Sequence, residues 1–349
     1  MAERRRHQRR HHFVAIIWTV IAVLLILIGG FGWYCWHSIN GAYNNVYDAQ
    51  ASNNAMAHDK PFSVLLLGID TGAEGRIDRG NSDAMILMTI NPKKQKAVMY
   101  SIPRDTMAQM IGTKKTNVQK INAAYNIGKS KMAMNTVSKL VNVPVDYYVT
   151  INMGGLEKMV NAVGGVDVIS PLTFSYGGYN FTQGVSTHLD GQAALAFTRM
   201  RHQDPRGDYG RQERQQIVIQ ALMKKLGSKE GLAHAKDFMA TLKGNVKTNL
   251  NLSEVLRLAK HMHDTANNTE RDQLQGQTAW INLSSYQVAS TPTLQQASDT
   301  LRKSLDLKPA KLDNLETKLN AKNTAFFAGE TQIYNTEGTD TTHYTNNTY

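Results

Sequence analysis

The chain of 349 residues is 42% apolar, enough to bury a sizeable core in one large α/β domain with extensions. Its formal net charge is +11, and the first twelve residues hold five arginines against one glutamate, so the remainder still carries a surplus of seven that favours an anionic ligand or surface. A single cysteine, Cys35, excludes an intrachain disulfide framework and a cysteine-based metal site.

In chain order, the basic segment 1–12 precedes Phe13–Trp36, a charge-free run long enough to cross a hydrocarbon core of roughly 30 Å. Basic residues flank only its N-terminal side, and Trp33, Tyr34 and Trp36 crowd the other end. That asymmetry predicts a single-pass helix with a cytoplasmic N-terminus and everything after residue 36 outside the cell membrane. The apolar run exceeds a signal-peptide core, so the expectation is an uncleaved anchor. Residues 37–60, rich in Asn and Ala without sustained periodicity, read as a tether.

From Pro61 onward strand and helix signals alternate. FSVLLLGI (62–69), AMILMTI (84–90) and KAVMYSI (96–102) read as strands, the last two joined through the turn-forming NPKKQ; DYYVTINM (146–153) and GVDVIS (165–170) read as two more. Helical spacing appears over 135–143 and 154–163, and again after the arginine-rich stretch, where Ile217, Val218, Leu222 and Leu226 favour one face. Strands apolar on both faces with interspersed helices predict a layered α/β/α domain over 61–310 with a mixed central sheet. The extension 311–349 is expected to be disordered from about 329, where its composition turns polar.

Familiar catalytic signatures are missing. GKS at 128–130 lacks the earlier glycine of a phosphate-binding loop, that position being Ala123; no His-Glu-x-x-His, Gly-x-Ser-x-Gly or Cys-x-x-Cys occurs. What remains is a set of charges at element ends. Asp70 closes the first strand, Asp83 opens the second, and Arg104-Asp105 follows the third in SIPRDT. All can gather at one sheet edge, where α/β ligands usually bind. FTRMRHQDPRGDYGRQERQQ (197–216) adds five arginines. In an extended segment Arg199 and Arg201 point the same way, and one helical turn aligns Arg211 with Gln215. Arginine's planar fork suits phosphate oxygens, and two carboxylates among such arginines invite magnesium, which takes a few acids plus substrate phosphates. Met132, Met134, Met153 and Met159 are candidates to line an apolar groove, although core packing explains them equally well.

The series LLLGID, NSDAMILMTINP, SIPRDT, KINAAY, GGVDV, LDGQAALAF and RMRHQDPRGDYGRQERQQ resembles the LytR-CpsA-Psr family of Gram-positive envelope enzymes, over roughly residues 61–310. The resemblance implies a phosphotransferase that moves a glycopolymer, such as wall teichoic acid or capsular polysaccharide, from a polyprenyl-pyrophosphate carrier to peptidoglycan. It implies magnesium at Asp70 and Asp83, a catalytic pyrophosphate clamp of Arg104, Arg199, Arg201 and Arg211, and supporting contacts from Lys120 and Gln215. Asp208 matches an acid of the pattern, as second shell to the metal or as proton acceptor. Arg79 departs from the family's spacing, in which an arginine directly precedes Ser-Asp: in RGNSDA it sits two residues early, with Gly80 and Asn81 between, which leaves its phosphate contact open. Two other outcomes are compatible with such a clamp: a polyprenyl-pyrophosphate pyrophosphatase, or a non-catalytic regulator that binds anionic lipid. Nucleic acid is not an expected partner.

Overall fold

The computed structural model describes residues 60–69, 80–228 and 244–344. The proposed anchor and tether, and with them Asp70 and Arg79, lie outside the described residues. Among the described residues no helix is long and apolar enough to cross a membrane.

The centre is a six-stranded mixed sheet. Strand β1 (Phe62–Ile69) runs antiparallel to β2 (Ser82–Asn91), which runs antiparallel to β3 (Lys96–Ser101). A two-stranded ribbon, β4 (Met107–Met110) and β5 (Asn117–Lys120), and helix α1 (Ala123–Val141) come before β6 (Tyr147–Asn152), which joins β1 in parallel on its other side. Further along, β11 (Val246–Thr248) and β12 (Thr269–Gln273) complete the order β11-β6-β1-β2-β3-β12.

Alternation along β1 explains the layers. Leu65 and Leu67 join Leu87, Tyr100 and Tyr148 in a core closed by α1 and by α6 (Thr291–Ser304). Phe62 and Val64 point the other way, into a core with Ile86, Met88 and Met99 that is closed by α4 (Asp208–Leu226) and α5 (Leu252–Asn267). Each fully buried Leu is worth about 1.5–3 kcal/mol relative to exposure, so both faces hold the sheet. The α/β/α sandwich with a mixed sheet is therefore as the apolar runs predict. At the end of β1, Gly68 is required by close packing, since a Cβ there would stand 2.9 Å from the Cβ of Ala84.

A satellite core beside the sheet combines α2 (Met153–Ala162), β7 (Val166–Ile169), the β8–β9 hairpin (Phe174–Tyr176 and Tyr179–Phe181), β10 (Ser186–Leu189) and α3 (Gly191–Arg199) around the tilted and edge-on rings of Phe174, Phe181 and Phe197. A last core joins the ribbon β13 (Gln277–Ile281) and β14 (Ser284–Val288) to α7 (Leu315–Lys322) and α8 (Thr324–Phe327).

The tail departs from the expected disorder. Tyr334 is buried against Phe326 and Phe327, and its hydroxyl donates to Asn320 at 2.6 Å. Its backbone pairs with two ribbon edges: Trp280 N–H donates to Gln332 O at 2.8 Å, and Val118 N–H donates to Asp340 O at 2.8 Å. Polar composition misleads here because one aromatic anchor and two free strand edges hold the segment through residue 344.

Candidate active site

The charged residues converge at one end of the sheet. β1 ends at Ile69 opposite Ser82, which sets Asp83 at the rim. The turn after β3 brings Arg104 to it, with Nη1 donating to Asp83 Oδ1 at 2.9 Å and Nε lying 3.6 Å from Asp105. Lys120, closing β5, places Nζ 3.1 Å from Asp105 Oδ1 and sits over the Tyr286 ring at 5.6 Å. From the opposite wall, the first turns of α4 deliver Asp208, Arg211 and Gln215. Arg211 Nη2 donates to the Asp83 carbonyl at 3.2 Å and lies 2.8 Å from Asp208 Oδ1, and Arg201 approaches the same carboxylate at 4.0 Å. Gln212 donates to Asp208 Oδ2 at 2.9 Å, so the acid is tied from both sides.

Arg199 ends α3, a helix that starts where Asp190 caps it by accepting from Ala193 N–H at 2.8 Å. The expected extended segment carrying Arg199 and Arg201 on one face is thus corrected. Capping by Asp190 and burial of Ala193, Ala196 and Phe197 favour helix up to Arg199, and the chain turns extended only at Met200. The two arginines still reach one region, from a helix end and from the following loop. Arg211 and Gln215 align one turn apart, as their spacing predicts.

Behind the charges lies an apolar cavity between the sheet and helices α2 and α4. Leu66, Leu67, Ile69, Ile86, Ile151, Leu156, Val218 and Ile219 form its walls; Asp83, Arg199, Arg211 and Gln215 stand among the polar groups lining it. Of the methionines considered for such a groove, Met132 and Met134 belong to the core under α1 and Met159 is not among the cavity walls; the side chain of Met153 lies outside the described residues. Periodicity assigns strand and helix positions with Leu, Ile and Val to the core alike, so nothing in the sequence distinguishes a lining residue from a packed one.

Electrostatics differ among the arginines. Burial works against the charge of Arg104, but Asp83 and then Asp105 and Asp208 outweigh it and its pKa is raised. Burial of Arg211, opposed by Asp208 and reinforced by Arg104, pulls its pKa below the ordinary value. Nε of Arg211 and Oε1 of Gln215 are buried without a hydrogen-bond partner among the described residues. Such a donor is costly to leave unmet and is ready for an anion.

Two arginines of the rich stretch serve other ends. Arg214 is fully buried and bonds Asp204, the Met200 carbonyl and, at 3.0 Å from Nε, the Phe197 carbonyl. Gly210 makes room for this strut, since a Cβ would stand 1.8 Å from Asp204 Oδ2. Arg206 pairs outside with Glu213 at 2.5 Å. Position in SIPRDT puts Asp105 at the sheet edge without a role of its own; the structure makes it the partner of both Arg104 and Lys120.

The LytR_cpsA_psr family model matches residues 34–303. The chain is 38% identical over 298 residues to the polyisoprenyl-teichoic acid–peptidoglycan teichoic acid transferase TagU of Enterococcus faecalis, covering 84% of this chain and 97% of that protein. Among solved structures, a Streptococcus agalactiae protein superposes with a TM-score of 0.68 at 34% identity, covering 77% of this chain and 95% of that one. TagT bound to LIIa-WTA superposes with a TM-score of 0.59 at 29% identity, covering 71% and 92%. With the family match spanning most of its length and its sheet-edge cluster of acids and arginines in place, this chain belongs to the LytR_cpsA_psr family.

Proposed function

We propose that the protein transfers a glycopolymer of the teichoic acid class from a polyprenyl-pyrophosphate carrier to peptidoglycan. The observation that carries this reading is the junction of a cationic cluster with an apolar cavity: a pyrophosphate needs the first and a polyprenyl chain the second. The relatives named as teichoic acid transferases, and TagT with its bound LIIa-WTA, support the same assignment.

Arg104, Lys120, Arg199, Arg201 and Arg211 hold the pyrophosphate, with Gln215 at the cavity mouth. Arg79 is assigned to the same head group from its place in the sequence. Asp208 positions Arg201 and Arg211, and Asp83 positions Arg104 and Arg211. Phosphoryl transfer requires placement and charge stabilisation more than covalent chemistry from the protein, because charge spreads over the phosphate oxygens. A sugar hydroxyl of the acceptor attacks the phosphorus adjoining the polymer. The new P–O bond forms a phosphodiester, the bridging P–O bond breaks, and polyprenyl phosphate leaves with the electron pair. The hydroxyl proton passes to one of the site's carboxylates.

Magnesium is the proposed cofactor. Among the described residues no group of three metal-ligating side chains occurs. Asp83 nonetheless offers a hard oxygen donor beside arginines that would take the other phosphate oxygens, a donor set suited to a magnesium that counts substrate phosphates among its ligands. Asp70 is the second acid assigned to it. When bound, the ion adds positive charge against the phosphate oxygens.

The apolar run 13–36 anchors the protein in the cell membrane, with the N-terminus cytoplasmic and the catalytic domain on the outer face where lipid carrier and peptidoglycan meet. Supplying the full-length protein in detergent with a lipid-pyrophosphate glycan and glycan strands tests the proposal. Polymer-linked acceptor and free polyprenyl phosphate are expected in equal amounts; release of free glycan phosphate to water alone would refute transfer.

A further inference from the structure

The β13–β14 ribbon has one face committed to packing: Ala279, Ile281, Tyr286 and Val288 are buried. Strand pairing sets Thr278 opposite Gln287 and Trp280 opposite Ser285, so these four share the other face, which is open. That face is joined directly to the catalytic cluster. Gln287 N–H donates to the Asp105 carbonyl at 2.8 Å, and Gln287 Oε1 lies 3.3 Å from the hydroxyl of Tyr209, the residue following Asp208. The Tyr209 hydroxyl accepts from Gly276 N–H at 3.0 Å, and Gln287 Nε2 donates to Thr278 Oγ1 at 3.0 Å, so the inner end is fixed by hydrogen bonds. Two residues further out along the strand, a step of about 7 Å, stands Trp280, 45% exposed.

We propose that this face is the acceptor subsite and binds the glycan strand of peptidoglycan, with Trp280 stacking on a sugar ring beyond the one that carries the attacking hydroxyl. The proposal rests on the transferase reading given above. An amide and two hydroxyls leading to a single indole suit a carbohydrate: polar groups orient its hydroxyls, while the flat apolar ring covers the C–H face of a pyranose. No lysine or arginine lies among the four residues, as an anionic ligand would call for. A lipid surface is the competing occupant, because Leu283 at the hairpin tip is 96% exposed and Ile333, bridged to Trp280, is 70% exposed. Amide and hydroxyl neighbours around the indole favour the glycan.

The test uses the full-length chain with Trp18→Phe, Trp33→Phe and Trp36→Phe, which leaves Trp280 as the sole indole. In detergent, Trp280 emission should change saturably as peptidoglycan glycan oligomers are added. In the wild-type background, Trp280→Ala should raise KM for the glycan acceptor about tenfold, leave KM for the lipid-linked donor unchanged, and be partly rescued by Trp280→Phe. Leu283→Ala should leave acceptor KM unchanged. Emission indifferent to glycan, or a wild-type acceptor KM in Trp280→Ala, would overturn the subsite while leaving the transferase reading intact. An emission shift on reconstitution into phosphatidylglycerol vesicles, with none on adding glycan, would overturn it in favour of lipid. If the wild type transfers nothing to glycan the transferase reading itself fails, and the fluorescence titration still decides whether Trp280 binds the strand.

Discussion

Three arginines from one short stretch should fail in three different ways. Arg201 is 38% exposed in its side chain and its carboxylate contact, to Asp208, is loose at 4.0 Å. Replacing it with alanine should therefore cost under about 1 kcal/mol of stability. It should nevertheless remove one preorganised donor to developing charge, lowering transfer by about 10² to 10³, or roughly 3 to 4 kcal/mol of barrier. Lysine at this position keeps the charge but loses the planar fork, so Arg201→Lys should recover only part of the rate. Arg214→Ala removes the buried partner of Asp204 Oδ2 and leaves that carboxylate only the Arg206 backbone N–H, at 2.9 Å, and the half-exposed Arg206 Nε, at 3.7 Å, both on Oδ1; the loss should be about 3 kcal/mol and should lower Tm by about 10 °C. Arg206, half exposed and paired with Glu213, should tolerate alanine in both respects. Initial rates with a lipid-linked donor, together with thermal melts of each variant, separate the outcomes. Rate losses of equal size for Arg206→Ala and Arg201→Ala would mean that the stretch acts as a diffuse basic surface, and the assignment of individual arginines would fall.

Asp83→Asn, or removal of divalent ions by chelation, should lower transfer by at least about a hundredfold, with Tm little changed; full activity in chelator would rule out the magnesium role. Glu316 is buried, accepts from Gln109 N–H at 2.7 Å through one oxygen, and has no partner for the other among the described residues, so burial raises its pKa. Because the folded-state pKa is raised, this group's contribution to stability is full below the unfolded value of about 4.3 and is lost as pH rises from there through the folded pKa. The decline in Tm above pH 4.5 should accordingly be shallower in Glu316→Gln, and parallel curves would contradict this origin. Protease added to wall-stripped cells should degrade the domain from Pro61 onward while sparing the N-terminal arginines, and protection of that domain would overturn the proposed topology.

The central strands were legible because they are buried on both faces and write themselves as unbroken apolar runs: β1 is read at 62–69 and found there, and β3 differs by one residue. Edge elements carry no such signal. β12 reads TERDQ, with every side chain polar, and joins the sheet through backbone pairing alongside β3 and an exposed ion pair of Glu270 with Lys96 rather than through apolar packing. The short ribbons β4–β5 and β13–β14 were missed for the same reason, and they deliver Lys120 and the open face beside the catalytic cluster. Charged site residues were legible as types placed at element ends. Their division of labour was not, since Arg211 and Arg214 are three residues apart on one helix and only packing shows that one faces the cavity and the other Asp204.

The most direct measurement is transfer by the purified full-length protein in detergent, using a polyprenyl-pyrophosphate glycan labelled in the phosphate next to the polymer, glycan strands as acceptor, and magnesium. The account predicts that the label becomes covalently attached to the strands with stoichiometric release of unlabelled polyprenyl phosphate, and that Arg201→Ala reduces both by at least about a hundredfold. Label recovered only as free glycan phosphate, with none on the strands, would contradict it.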